Sequence, residues 1–161
     1  MKKIYNIFFV ITFLSIIGII YIQYDKSTFS NNPLPLNITK KLDNEVMKIR
    51  KKILKTYNVN VNFPIEISDK LPNNLYGMAT MNEDSKIVIY LNKKRFKESE
   101  TYMYGVLIHE YAHAMMFYFG DFSRENSGHS KKWQQICYNL GGTTCERFVN
   151  RHDIIFEKTR F

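Results

Sequence analysis

The sequence predicts an α+β domain behind a single N-terminal transmembrane helix. Three patterns lead to this: an apolar run from Ile4 to Ile22, three helix-like stretches further on, and two short alternating stretches joined by a polar turn. The composition permits it. A chain of 161 residues suits one domain. A hydrophobic fraction of 45% with 15% aromatics supplies a core and excludes a disordered chain.

The run from Ile4 to Ile22 is interrupted only by Asn6, Thr12, Ser15 and Gly18. About twenty residues at about 1.5 Å each cross the hydrocarbon of a bilayer. Tyr5, Tyr21 and Tyr24 stand near its ends, where amphipathic rings favour the interface. Lys2 and Lys3 precede it, so they are expected to stay in the cytoplasm and send the rest of the chain outward. No Ala-x-Ala-like site follows, and an uncleaved anchor over residues 1–24 is therefore expected over a cleaved signal peptide. The expected location is the cell membrane, single-pass, with the domain extracytoplasmic; cleavage would leave it secreted. Residues 25–37, rich in Ser, Asn and Pro, read as a linker, and residues 38–161 as the domain.

Within the domain, Ile38, Leu42, Val46, Ile49, Ile53 and Leu54 recur at three-to-four spacing among charges, which predicts an amphipathic helix over 38–57. Val59–Ile67 is β-prone but contains Pro64, so it should be short or at a sheet edge. Leu75–Met81 and Lys86–Asn92 read as strands of a hairpin across Asn82-Glu-Asp-Ser. In the second, Ile87, Ile89 and Leu91 should face one way, and Val88 and Tyr90 the other. A long helix is expected from Glu98 to Phe119, stopping at Gly120. A polar loop over 121–128 precedes a helix from His129 to Leu140, ended by Gly141-Gly142. The tail from Cys145 to Phe161 should be partly helical.

The net charge is +8; setting aside Lys2 and Lys3 leaves 21 basic against 15 acidic residues, net +6. A basic chain invites a nucleic-acid or anionic-membrane partner. No Lys/Arg block exceeds three residues, so nucleic acid is not the expected partner.

The chemistry sits on the long helix. His109-Glu110-Tyr111-Ala112-His113 is H-E-x-x-H. Residues four apart stack on one helix face, so both imidazoles can reach one metal ion at about 2 Å. Glu110 is offset from that pair and can reach a metal-bound water as general base without being a ligand. A catalytic zinc needs a third protein ligand. A metzincin continuation would put Gly at 116 and His at 119, where Met116 and Phe119 stand. A downstream glutamate, Glu125 or Glu146, could serve. His129 fits better, because it opens the next helix beyond a loop that can turn that helix back onto the first.

His109-Glu110-Tyr-Ala-His113 followed by Gly128-His129-Ser-Lys-Lys-Trp133 resembles the SprT-like zinc metallopeptidases, which pair H-E-x-x-H with a histidine that has an aromatic residue four positions on. Gly77 with Ala79, and the strand ending Leu91-Asn92, are similar to that family's glycine-bearing strand and its Leu-Asn strand. The resemblance covers about residues 40 to 148. It implies a zincin-like domain whose active-site helix packs on a small β-sheet. It also implies Zn2+ as cofactor on His109, His113 and His129, Glu110 as catalytic residue, and protein substrates, in some relatives crosslinked to DNA. Many relatives carry a four-cysteine zinc ribbon, which Cys137 and Cys145 alone are too few to build. Relatives are usually intracellular, whereas this chain opens on an apolar run.

Several alternatives stay open. Cys137 and Cys145 either pair, as an oxidising compartment would allow, or remain a buried thiol and an inert one. Tyr138, Arg147 and His152 are each able to supply an oxyanion donor. The aromatics around the motif, from Tyr102 to Phe119, read as burial of the helix on both sides, and Trp133 should pack beside His129. The leading reading is a membrane-anchored zinc endopeptidase. The alternatives are a zinc-stabilised peptide-binding module without turnover and, more weakly, a DNA-associated protease.

Overall fold

The computed structural model describes residues 2–96, 99–121, 128–143 and 145. The chain divides into two units, Met1–Pro35 and Leu36–Phe161.

The first unit is one helix, α1 (Lys2–Asn31), and its stretch Tyr5–Phe29 is long and apolar enough to cross a membrane. Its apolar side chains from Tyr5 to Tyr24 are exposed. Helix runs further than expected here, because Ser, Thr and Asn at 27–31 weaken a helix without stopping it. Pro33 does stop it, since it lacks an N–H and its ring clashes with the preceding turn. Asn32 closes the end, its Nδ2 donating to the Thr28 carbonyl at 2.9 Å. The expected 25–37 linker thus reduces to residues 32–35, with α2 (Leu36–Tyr57) starting directly after Pro35.

In the second unit α2 buries Ile38, Leu42, Ile49 and Ile53, while Leu54 stands exposed rather than joining that face. Asn58, in the left-handed region at φ 54°, ends the helix, and its N–H reaches the Leu54 carbonyl. Three strands follow: β1 (Ile65–Ser68), β2 (Gly77–Met81) and β3 (Ile87–Asn92), in the order β1-β3-β2. β1 is both short and at an edge, as Pro64 demands, and pairs parallel to β3 with Ile65 opposite Ile89. β2 and β3 form the expected antiparallel hairpin, with Gly77 opposite Leu91. Val88 is buried along with Ile87, Ile89 and Leu91, so this central strand departs from a simple in–out alternation.

Asn92 explains the polar end of that apolar strand. It is fully buried, and its Nδ2 donates to the carbonyls of Pro72 (3.0 Å) and Leu75 (2.7 Å), while its Oδ1 accepts the Lys94 N–H. A buried amide satisfied this fully pins the loop that leads into β2.

A short turn, α3 (Lys93–Phe96), leads to α4 (Glu100–Tyr118), which packs against β2, β3, α2 and the final helix, α5 (Lys131–Leu140). The expected start of α4 at Glu98 lies outside the described residues. Met103, Leu107, Tyr111, Ala112, Ala114 and Met115 are fully buried, so this helix is core on nearly every side. Its last aromatic, Tyr118, and Phe119 just beyond it reach the surface. Helix α5 begins two residues later than expected. Ser130 is its N-cap, accepting the Trp133 N–H, and His129 sits in the turn before the cap. Gly141 ends it at φ 96°, and Lys52 of α2 donates to the Leu140 carbonyl at 2.9 Å. Cys137 and Cys145 are joined by a disulfide, which resolves the pairing that spacing left open. Gly142 packs against it so closely that a Cβ would lie 2.5 and 2.6 Å from the two sulfurs. The rest of the tail lies outside the described residues.

Candidate metal centre

His109 and His113 lie one turn apart on α4, and their Nε2 atoms are 3.2 Å apart. His129 arrives from the turn before α5 and brings its Nε2 to 3.0 Å from that of His109. The ligand atoms of all three lie within 4.8 Å of one another, so the structure assembles the trio chosen from sequence. Donors bound to one tetrahedral ion at about 2.0–2.1 Å stand roughly 3.3–3.4 Å apart, which the two closest pairs nearly match.

The electrostatics suit a cation. Burial, with the neighbouring His129 as second cause, lowers the His109 pKa from 6.5 to about 3. Burial, then His109 and His129, holds His113 well below its ordinary value. These imidazoles are therefore neutral at neutral pH, with ring lone pairs available. Three imidazole nitrogens converging on one point satisfy one another poorly, and a shared cation resolves that.

Trp133 forms the wall behind the ligands. It is fully buried, with its ring centroid 4.7, 5.1 and 4.3 Å from those of His109, His113 and His129. Its place on the first turn of α5 follows from the four-residue step after His129. The N-cap Ser130 sets the start of the helix that carries it.

Glu110 is buried, and its Oε2 accepts the N–H of Ala79 at 2.9 Å. This contact is a product of the sheet register. Asn92 donates to the Tyr76 carbonyl and Asn82 to that of Lys86, so even-numbered β2 residues point their backbone groups at β3. Ala79 must then point its N–H to the open edge of β2, where α4 packs. Gly77 makes the approach possible. A Cβ there would lie 2.8 Å from Glu110 Cγ and 2.8 Å from Val106 Cγ1. Sequence reasoning did not assign either residue a role. The available hint was a glycine opening a strand, which marks a close approach of another backbone or side chain.

The remaining candidates fare differently. Glu125, Glu146, Arg147 and His152 lie outside the described residues. Tyr138 is about half exposed on α5. It is five positions, or about 140° of helix, from Trp133, and so is turned away from the ligand wall.

A model of the SprT-like family matches residues 38–153 of the chain. The comparisons with curated proteins and with solved structures return no match.

Proposed function

Because the chain belongs to the SprT-like family, we propose that it is a zinc metallopeptidase acting on protein substrates. Residues 1–24 hold it in the membrane, and its catalytic domain lies outside the cytoplasm. The observation that carries the activity is one juxtaposition: three imidazoles converge, and the carboxylate next to the first of them is buried and held by a backbone amide.

His109, His113 and His129 would hold the ion through Nε2. A zinc ion supplies Lewis acidity there, lowering the pKa of a water towards neutrality and leaving a fourth position open. Glu110 would take a proton from a water on its carboxylate and pass it to the leaving amine. The Ala79 amide holds Oε2, so the carboxylate meets the water in one orientation. Trp133 keeps the three rings in place and excludes water behind them.

Two features support the placement. Lys2 and Lys3 precede the only helix among the described residues that is long and apolar enough to span a bilayer. The Cys137–Cys145 disulfide belongs to an oxidising compartment rather than to the cytosol.

The test is elemental analysis of the membrane-extracted protein together with hydrolysis of an unfolded substrate such as casein. One zinc per chain with chelator-sensitive cleavage is expected. Zinc without cleavage would leave a zinc-stabilised binding module as the better reading. Absence of zinc, and of uptake on titration, would end both. Reporter fusions after residue 40 that are active only in the cytoplasm would overturn the orientation.

A further inference from the structure

Helix α2 carries a face that the catalytic reading does not use. Its 22 residues hold seven basic and two acidic side chains, net +5, which is most of the +6 that remains once Lys2 and Lys3 are set aside. The distribution is one-sided. With about 100° per residue, the buried Ile38, Leu42, Ile49 and Ile53 define one side. The opposite arc, about 120° wide, holds no acidic residue and is exposed throughout, with the exposed Asp43 about 20° beyond its edge. Lys40, Lys51 and Lys55 stand on it.

Leu36, Met47 and Leu54 form a line along the same arc. Leu36 and Leu54 are eighteen residues, or about five full turns, apart, and Met47 falls within about 20° of the line between them. They are exposed by 70%, 50% and 50%. Single exposed apolar residues need no explanation. Three in a line beside an acid-free row of lysines make the two-part surface of a helix lying in a lipid interface, with alkyl groups entering the acyl boundary and ammonium groups at the headgroups.

We propose that this face of α2 docks on the anionic phospholipid surface of the bilayer that α1 enters, and so sets how the metal centre faces its substrates. The proposal rests on the reading of α1 as an anchor. The connection supports it: residues 32–35 alone separate the two helices, and four extended residues reach at most about 14 Å. A connection this short leaves α2 within reach of a bilayer that α1 enters. The apolar line favours lipid over nucleic acid, whose phosphates would engage the lysines and leave the apolar side chains in water.

The full-length protein allows a direct test. The chain's two cysteines are paired with each other, so Met47→Cys introduces a single thiol for an environment-sensitive fluorophore. Glu66→Cys, at an exposed position of β1, is the reference site. Both are reconstituted in vesicles of phosphatidylcholine with phosphatidylglycerol and in phosphatidylcholine alone. In the anionic vesicles the label at 47 should shift to the blue and lose most of its quenching by aqueous iodide, while the label at 66 stays quenched. Lys40→Glu, Lys51→Glu and Lys55→Glu together should restore quenching at 47.

Equal quenching at 47 in both vesicles overturns the proposal. So does protection that grows with protein concentration whatever the lipid, which would mark a second copy of the chain. Protection brought about by added duplex DNA without vesicles would overturn it in favour of nucleic acid. Carbonate extraction of the same vesicles scores the anchor separately. Extraction of the chain with lipid-dependent protection at 47 would sink the anchor and keep the surface. Retention with a quenched label would do the reverse.

Discussion

Helices α1 and α4 are both apolar around almost their whole circumference, yet the apolar side chains of one are exposed from Tyr5 to Tyr24 and most of those of the other are buried. In α1, Phe9 is 73% exposed, whereas Leu107, Ala112 and Met115 of α4 are 0% exposed. Hydrophobic periodicity does not separate these fates, because neither helix has a polar face to orient it. The treatment of polar residues does. Thr12 and Ser15 of α1 donate to the carbonyls of Phe8 and Ile11, four residues back. Both hydroxyls are thus satisfied within the helix itself, which is what a bilayer would require of them. Glu110 and His113 of α4 are buried, and the partners of Glu110 and of the histidine cluster come from β2 and from the turn before α5. Helix α4 draws the partners of its buried polar groups from neighbouring elements, whereas α1 has the length and apolar composition to cross a membrane.

The largest effect should come from the polar side of α4. Glu110→Gln keeps the shape and a hydrogen bond but accepts no proton. It should cost two to four orders of magnitude in kcat/KM, or about 3–5 kcal/mol of transition-state stabilisation, at unchanged zinc occupancy. His109→Ala, His113→Ala and His129→Ala should instead lose zinc and activity together, which separates a base from its neighbouring ligands. The one tryptophan of the chain abuts all three ligands, so its fluorescence should follow zinc titration of each variant. If His129→Ala kept full zinc affinity while Glu125→Ala or Glu146→Ala lost it, the third ligand would have to be reassigned.

The apolar side comes next. Leu107→Ala in α4 should destabilise the domain by about 2–5 kcal/mol, the usual result of a cavity in a packed core. Ile16→Ala in α1 should leave the unfolding of the domain unchanged, because Ile16 is about half exposed and packs into no core. Denaturant titrations of both variants measure the contrast, and equal losses would break it.

Gly77→Ala tests whether β2 sets the position of Glu110. The added methyl meets Glu110 Cγ and Val106 Cγ1 at 2.8 Å. Relieving these contacts needs a shift of up to about 1 Å, which costs up to about a hundredfold in turnover. The fall should appear in kcat with zinc retained. Gly105→Ala, on the exposed side of α4 with nothing within 4 Å, should keep full activity. It should add up to about 1 kcal/mol of stability through helix propensity alone.

Acid sensitivity of the zinc-free protein is a smaller effect. His109 is neutral in the folded state down to a pKa of about 3 and ordinary, near 6.5, when unfolded. Between those values the unfolded chain binds more protons, so stability is complete above pH 6.5 and falls as pH drops below it. His113 acts in the same direction. Thermal unfolding of chelator-treated protein at pH 7.5 and pH 5 should show the lower Tm at pH 5. His109→Phe should flatten the difference.

What the sequence by itself determined here is local. Two imidazoles four residues apart share a helix face by helix geometry alone, and the place of His129 just before the next helix pointed to it as their neighbour, which the cluster of the three bears out. The hairpin, its turn and the stop at Gly141 follow likewise from short-range backbone preferences. Local composition misled at 25–31, where polar residues suggested a linker but only Pro33 has the covalent means to end the helix. Tertiary structure decided the rest. The carboxylate of Glu110 meets the amide of Ala79, 31 positions upstream, because the pairing of β2 with β3 turns that N–H outward. Gly77 matters because α4 packs against that edge, and Leu54 is exposed because Ile53 fills the core position beside it. Cys137 and Cys145 meet because the turn after α5 brings their Cα atoms to 5.8 Å. The division has one physical cause: a helix face repeats over a few residues of chain, whereas a neighbour across a packed interface leaves no periodic trace in the sequence.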